Sequence, residues 1–231
     1  MADGNTRHLL SADEPGPFKV LNPLAELPIL LVCDHASCRF PKSLGDMGLD
    51  PFARRCHLAV DIGASALTER LAASIGVTAV LANYSRLVVD CNRQLMDPGA
   101  FLEFGDGVLV PGNRNLRQSD KDLRSEALYW PYHEAVDQQV QRLRNAGRAP
   151  AFIAVHSFTP VMNGEARHGK SAYCGTPIRG YATFSLRISR PQATSSAITN
   201  RILAKHRKIS RSIIMQKKSA CRILESKFVR T

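Results

Sequence analysis

An α/β fold, with a central mixed sheet and helices on both faces, is predicted by three features of this 231-residue chain. Short, wholly apolar runs suit buried strands, longer stretches carry apolar residues at helical spacing, and the two kinds alternate along the sequence. Ile29 to Cys33 is the first apolar run, and Asp34, His35, Ala36 and Ser37 follow it, so His35 is placed at a strand end. Asp61 to Ile75 puts Ile62, Ala66, Leu67, Leu71 and Ile75 on one helical face, with Gly76 as a left-handed stop. Val77 to Leu81 and Leu87 to Cys91 read as two further strands, the second preceding Asn92 and Arg93. Gly99 to Leu116 has turn chemistry and no sustained period, which predicts a long surface loop. Ser119 with Asp122 resembles an N-terminal cap for a long helix running to Gly147, kinked at Pro131. Phe152 to Val155 is a last buried strand ending at His156 and Ser157. Sheets of this kind hold ligands at the carboxyl ends of their strands, where His35, Asn92, Arg93 and His156 all fall.

With 44% apolar and 22% charged residues, the composition excludes wholesale disorder. The longest apolar run, Leu27 to Cys33, contains Pro28 and is far short of the roughly 20 residues that cross a bilayer, so no membrane span is expected. The polar, partly acidic N-terminus lacks the pattern of a signal or transit peptide, which makes the cytoplasm the expected compartment. There the six cysteines are expected as free thiols.

The net charge of +11 is concentrated in one place. Residues 1–167 hold 17 Lys and Arg against 19 Asp and Glu, whereas residues 168–231 hold 14 against one, Glu225. Two domains are therefore expected: a near-neutral α/β core over 1–167 and a divergent basic tail over 168–231. Within the tail, Ile198, Ile202, Ile209 and Ile213 among basic residues of Ser195 to Met215 allow an alternative reading. On it, the chain is a module whose amphipathic helix binds nucleic acid or an anionic membrane.

Three motifs carry possible chemistry. Gly164 to Ser171 matches a G-x-x-x-x-G-K-S phosphate loop, but no strand leads directly into it, and Gly175, Pro177 and Gly180 forbid the helix that should follow. His35 and His156, each ending a strand, together with Asp61 supply the two imidazoles and a carboxylate that a catalytic zinc takes, although His8, His57 or His133 could replace any of them. Arg86, Asn92 and Arg93 flank one apolar run and could bind a carboxylate through guanidinium forks and an amide, unless Arg93 pairs with Asp90 or Asp97.

Five ordered blocks, LLVCDHAS with FP after two further residues at 30 to 41, HLAVDIGASAL at 57 to 67, YSRLVVDCNR at 84 to 93, PGNR at 111 to 114 and HSFTPVMNG at 156 to 164, resemble the N-formylglutamate amidohydrolase family. That resemblance implies a zinc-carboxypeptidase-like fold and metal-dependent hydrolysis of the amide bond of a small N-acylated acidic amino acid, typically N-formyl-L-glutamate in histidine breakdown. It implies His35 and His156 as metal ligands with Asp61 as the third, and Asn92 with Arg93 as the grip on the substrate's α-carboxylate. Cys38 departs from the Asn found in many members.

The resemblance ends near Arg167, and the family's late run of the type GIEIRQDL, with its catalytic Glu, is missing. Codons can be chosen for Cys174 to Arg179 and for Cys221 to Thr231 that read LWNADP and LPHIGIEIRQDL in the neighbouring frame. The expectation is that residues 168–231 arise from a reading-frame shift, pack poorly and supply no catalytic Glu, leaving this chain weakly active or inactive.

Overall fold

The computed structural model describes residues 8–147 and 150–159, and beyond them the backbone of short strands within 161–188. The elements in chain order are β1 (Phe18–Leu21), β2 (Ile29–Cys33), α1 (Ala64–Ile75), β3 (Thr78–Ala82), β4 (Phe104–Gly105), β5 (Val108–Leu109), α2 (Gln118–Arg124) and α3 (Trp130–Asn145). They continue with β6 (Ala151–Ser157), β7 (Val161–Met162), β8 (Glu165–Ala166), β9 (Ser171–Cys174), β10 (Pro177–Ile178) and β11 (Tyr181–Ile188).

The main sheet has the order β1-β3-β2-β6-β11-β10, with β9 also pairing β11. β3, β2, β6 and β11 run parallel, whereas β1, β9 and β10 join antiparallel, so the sheet is mixed as predicted. Strand β1 had no counterpart in the sequence reading. Its four residues are all half-buried, the weak burial of an edge strand, and so it lacks the continuous apolar run that marks β2.

The alternation of β2 divides its side chains between two layers. Ile29, Leu31 and Cys33 pack with Leu71, Ala72 and Ala64 of α1, while Leu30 and Val32 pack with Tyr132, Val136, Val140 and Leu143 of α3. One helix therefore covers each face. Helix α1 ends where expected: Gly76 takes φ +71°, which glycine adopts without the Cβ penalty, and its N–H closes onto the Ala72 carbonyl.

The Leu87 to Cys91 run is not a strand. It is deeply buried, but it lies in turns, and its polar backbone is claimed from several directions. Ser85 O accepts from Val88 N, Asp90 N donates to Ala100 O, Asn113 Nδ2 donates to Leu87 O and Arg124 Nη1 to Val88 O. The apolar side chains instead fill a third core with Leu58, Tyr84, Phe101, Val110 and Leu128. The stretch read as a surface loop closes that core: it holds a small hairpin, β4 with β5, and buries Val110 and Asn113.

The long helix breaks just before Pro131. Pro131 has no N–H to donate to Ala127 O, and the chain answers with one π turn over Ser125–Tyr129, in which Trp130 N–H reaches back to Ser125 O.

Beyond the 167/168 boundary, β11 pairs in parallel with the whole of β6, from Ala182 opposite Ala151 to Ile188 opposite Ser157. Ser171 opens strand β9, where a phosphate loop would need a helix. The tail stretch Ser195 to Met215 and Glu225 lie outside the described residues. No helix among the described residues is long and apolar enough to cross a membrane.

Candidate active site

Two neighbouring parallel strands aim their carboxyl ends at one place. The last registered pair of β2 and β6 is Val32 opposite Ala154; beyond it, Asp34 in the turn after β2 meets His156, with Oδ2 3.3 Å from Nε2. His35 follows on β2's extension, and its carbonyl accepts from Asp61 N at 3.0 Å. The Asp61 carbonyl in turn accepts from Ala64 N, the first residue of α1, so the turn into that helix fixes Asp61 beside both histidines.

His35, Asp61 and His156 are all buried, and one donor atom from each lies within 4.8 Å of the others. His156 Nδ1 is 2.8 Å from Asp61 Oδ2, and His35 Nδ1 is 3.3 Å from the same oxygen. Each ring's other nitrogen meets a different carboxylate. His35 Nε2 is 2.7 Å from Asp90 Oδ1, and His156 Nε2 is 3.3 Å from Asp34 Oδ2. Both outer nitrogens are thus anchored by acids while both inner nitrogens face one point, the arrangement in which a histidine presents a lone pair to a cation. Two nitrogens and a carboxylate oxygen in a buried site fit a divalent metal ion.

Arg86 borders this cluster. Its Nη2 donates to Asp90 Oδ2 at 2.6 Å, while Nη1 lies 3.4 Å from His35 Nδ1 and 3.9 Å from Asp61 Oδ1. Asp90 is further fixed by accepting from Asn92 N at 2.8 Å.

Without a cation, the charges settle among themselves. Burial opposes ionisation of Asp61 and Asp90, yet the imidazoles outweigh it: Asp61 is held well below the usual carboxylate range and Asp90 falls to about 2. Burial likewise works against a charged imidazole, but the hydrogen bonds to Asp34 and Asp61 raise His156 to about 9, and Asp90 and Asp61 raise His35.

The structure brings His35, Asp61, His156 and Arg86 together. It does not bring Asn92 and Arg93 into that cluster: both are exposed, and Arg93 Nη1 pairs with Asp97 Oδ2 at 3.4 Å, one of the two pairings open in the sequence. The other candidate histidines lie elsewhere. His8 is exposed, His57 pairs with Asp106 at 2.7 Å, and His133 Nε2 meets the Cys91 carbonyl at 3.1 Å. Sequence reasoning missed Asp34, Asp90 and Tyr132 as parts of the site. The available signal was an acid ending each of two apolar runs, at Asp34 and Asp90, where a solvated surface acid is not expected.

A family model described as N-formylglutamate amidohydrolase matches residues 27–209, most of the chain and across the charge break at 168. The chain belongs to the N-formylglutamate amidohydrolase family. Members of that family are hydrolases of C–N bonds, as the sequence blocks implied. Among solved structures, the chain is similar to gene product Atu2144 from Agrobacterium tumefaciens, at 26% identity over 84% of this chain and 95% of that one, with a TM-score of 0.78. It also shares its fold with N-formylglutamate amidohydrolase from Ralstonia eutropha JMP134, at 19% identity over 82% and 94% of the two chains and a TM-score of 0.58. A search of curated proteins finds no match.

Proposed function

We propose that the site is built to hydrolyse the amide bond of a small N-acylated acidic amino acid, N-formyl-L-glutamate being the type substrate, with a divalent ion held by His35, Asp61 and His156. The observation that carries this reading is that one donor atom each of the buried His35, Asp61 and His156 lies within 4.8 Å of the others. Without an ion, Arg86 and the two protonated imidazoles balance Asp34, Asp61 and Asp90; one divalent ion in place of the two imidazole protons keeps that balance. Nitrogen and carboxylate donors at this number favour zinc. Bound there, zinc would polarise the scissile carbonyl and acidify a water.

The chain's own groups do the rest. Arg86 keeps guanidinium donors beyond those engaged by Asp90 and stands at the cluster's border, where it can meet a substrate carboxylate or a developing oxyanion. Asn92 and Arg93 would hold the α-carboxylate from outside. The exposed Arg93–Asp97 pair is of a kind worth at most about 1 kcal/mol, so a substrate carboxylate can replace Asp97 on that guanidinium. No catalytic base is assigned among the described residues. In histidine breakdown, the cytoplasmic role that the family suggests, such a reaction releases formate and glutamate.

The test separates binding from turnover. Zinc-loaded protein should bind N-formyl-L-glutamate in calorimetry, and removal of the ion by chelation should abolish that binding. Absence of stoichiometric divalent binding by the wild-type chain would overturn the reading.

A further inference from the structure

Tyr132 donates its phenol proton to Asp34 Oδ1 at 2.6 Å, and the other oxygen of that carboxylate faces His156 Nε2 at 3.3 Å. All three residues are buried, Tyr132 almost completely. We propose that Tyr132 and Asp34 form a positioning pair that fixes the ring of His156 so that Nδ1, and not Nε2, is offered to the ion. The proposal rests on the metal reading above.

Three observations on different elements support it. First, the parallel pairing of β2 and β6 brings the turn after β2 beside the end of β6, where Asp34 Oδ2 lies 3.3 Å from His156 Nε2. A carboxylate there can accept from Nε2–H only, because Nδ1 is turned to Asp61 Oδ2 at 2.8 Å. Second, a carboxylate has two oxygens, and what holds one of them decides where the other points. The Tyr132 hydroxyl occupies one oxygen and thereby points the other at the imidazole. Third, helix phase delivers Tyr132. The extra residue of the π turn at Ser125–Tyr129 rotates everything after it by about 100° around the helix axis relative to an uninterrupted α-helix. After that rotation Tyr132 reaches Asp34 and His133 meets Cys91 O, while Tyr129, the last residue of the π turn, donates its Oη to Arg93 O at 3.0 Å. Among them only Tyr132 bonds to a side chain that touches a proposed ligand.

The pair touches neither the ion nor the reacting atoms; it acts through His156. A partner of this kind typically contributes 10- to 100-fold to metal affinity. The experiment measures affinity for zinc by competition with a chromophoric chelator, and the visible absorption of the cobalt-substituted protein, in the wild-type chain, Asp34→Asn and Tyr132→Phe. Glu69→Gln, which alters only exposed contacts with Lys19 and Ser65, serves as the control. Thermal melts of the metal-free proteins report folding separately. Asp34→Asn should weaken zinc binding roughly 10- to 100-fold and shift the cobalt bands. Tyr132→Phe, which keeps the ring in the core, should weaken binding several-fold in the same direction. Wild-type affinity and an unchanged cobalt spectrum in both folded variants would overturn the proposal while leaving the metal reading intact. An unchanged Tyr132→Phe beside a weakened Asp34→Asn would remove the tyrosine from it. Failure of the wild-type chain itself to bind zinc would bring down the metal reading, and this proposal with it.

Discussion

Asn113 and Arg124 share a 2.6 Å hydrogen bond in the interior, from the guanidinium Nη1 to the amide oxygen, and between them they hold the backbone that carries the site. Asn113 Nδ2 donates to the carbonyls of Leu87 and Leu102 at 2.8 Å each, and Arg124 donates to Val88 O and Gly112 O. Leu87 and Val88 lie between Arg86 and Asp90, so this network sets where those two charged groups stand. Asn113→Ala should leave two carbonyls without donors and destabilise the protein by about 2 to 6 kcal/mol, at roughly 1 to 3 kcal/mol per orphaned group. Urea unfolding measures it. A change below about 0.5 kcal/mol would mean that the network is dispensable.

That network also explains what the sequence could and could not disclose. Strand β2 was legible because it is buried throughout and reads as an unbroken apolar run, β3 through its β-branched and apolar residues, β6 through the apolar stretch Phe152 to Val155, and α1 through its spacing and Gly76. Leu87 to Cys91 looks the same by composition, since burial and not pairing decides apolar content. Only the positions of Asn113 and Arg124, 26 and 36 residues away, show that its carbonyls are satisfied by side chains. His35 and His156 could be paired in advance because strand ends in a parallel sheet converge, and Asp61 because it opens the helix that packs beside them. Asp34 and Tyr132 escaped notice because their roles depend on register and helix phase, and local periodicity reports neither.

The proposed histidine ligands should be separable from the fold. His35→Ala and His156→Ala each remove one of the two imidazole donors and should lower zinc affinity by at least roughly 100-fold, given that positioning partners alone are worth 10 to 100. Elemental analysis after gel filtration reads the loss, and near-UV circular dichroism checks that the chain still folds. Stoichiometric zinc in either folded variant would take that histidine out of the ligand set.

Arg93→Ala tests the outer half of the substrate grip. If Arg93 exchanges Asp97 for the substrate's carboxylate, its loss should weaken N-formyl-L-glutamate binding by up to about 1 kcal/mol, roughly fivefold, the range of an exposed ion pair. Melting temperature should barely change, because the side chain is exposed. Undiminished binding would leave Arg86 as the carboxylate reader.

Turnover by this chain should be weak even with zinc and substrate bound, because the tail from 168 holds a single acid, Glu225, in place of the family's late Glu-containing run. Resequencing the locus, and a chain with residues 168–231 replaced by the neighbouring-frame product, test the reading-frame proposal together. Formate release should rise in the restored chain. Rapid formate release by the present chain, or codons incompatible with the alternative frame, would defeat it.

The metal-free protein should lose stability on the alkaline side. His156 titrates near 9 in the folded state, against about 6.5 in an unfolded chain, because Asp34 and Asp61 both hydrogen-bond its charged form. A group whose folded pKa is raised contributes its full stabilisation below the unfolded value and loses it as pH rises through the folded one. The window is therefore about pH 6.5 to 9, and the contribution at stake is on the order of 3 kcal/mol. Asp90 works at the other end: depressed to about 2, it stabilises above its unfolded value near 4 and ceases to do so as pH falls toward 2. Melting temperatures of chelator-treated protein should thus be highest near pH 5 to 6.5 and decline toward pH 9. In His156→Gln the alkaline decline should shrink, since the titrating group is gone. A wild-type profile flat between pH 6.5 and 9 would show that His156 is neutral in the folded, metal-free protein, and that Asp34 and Asp61 do not hold its proton.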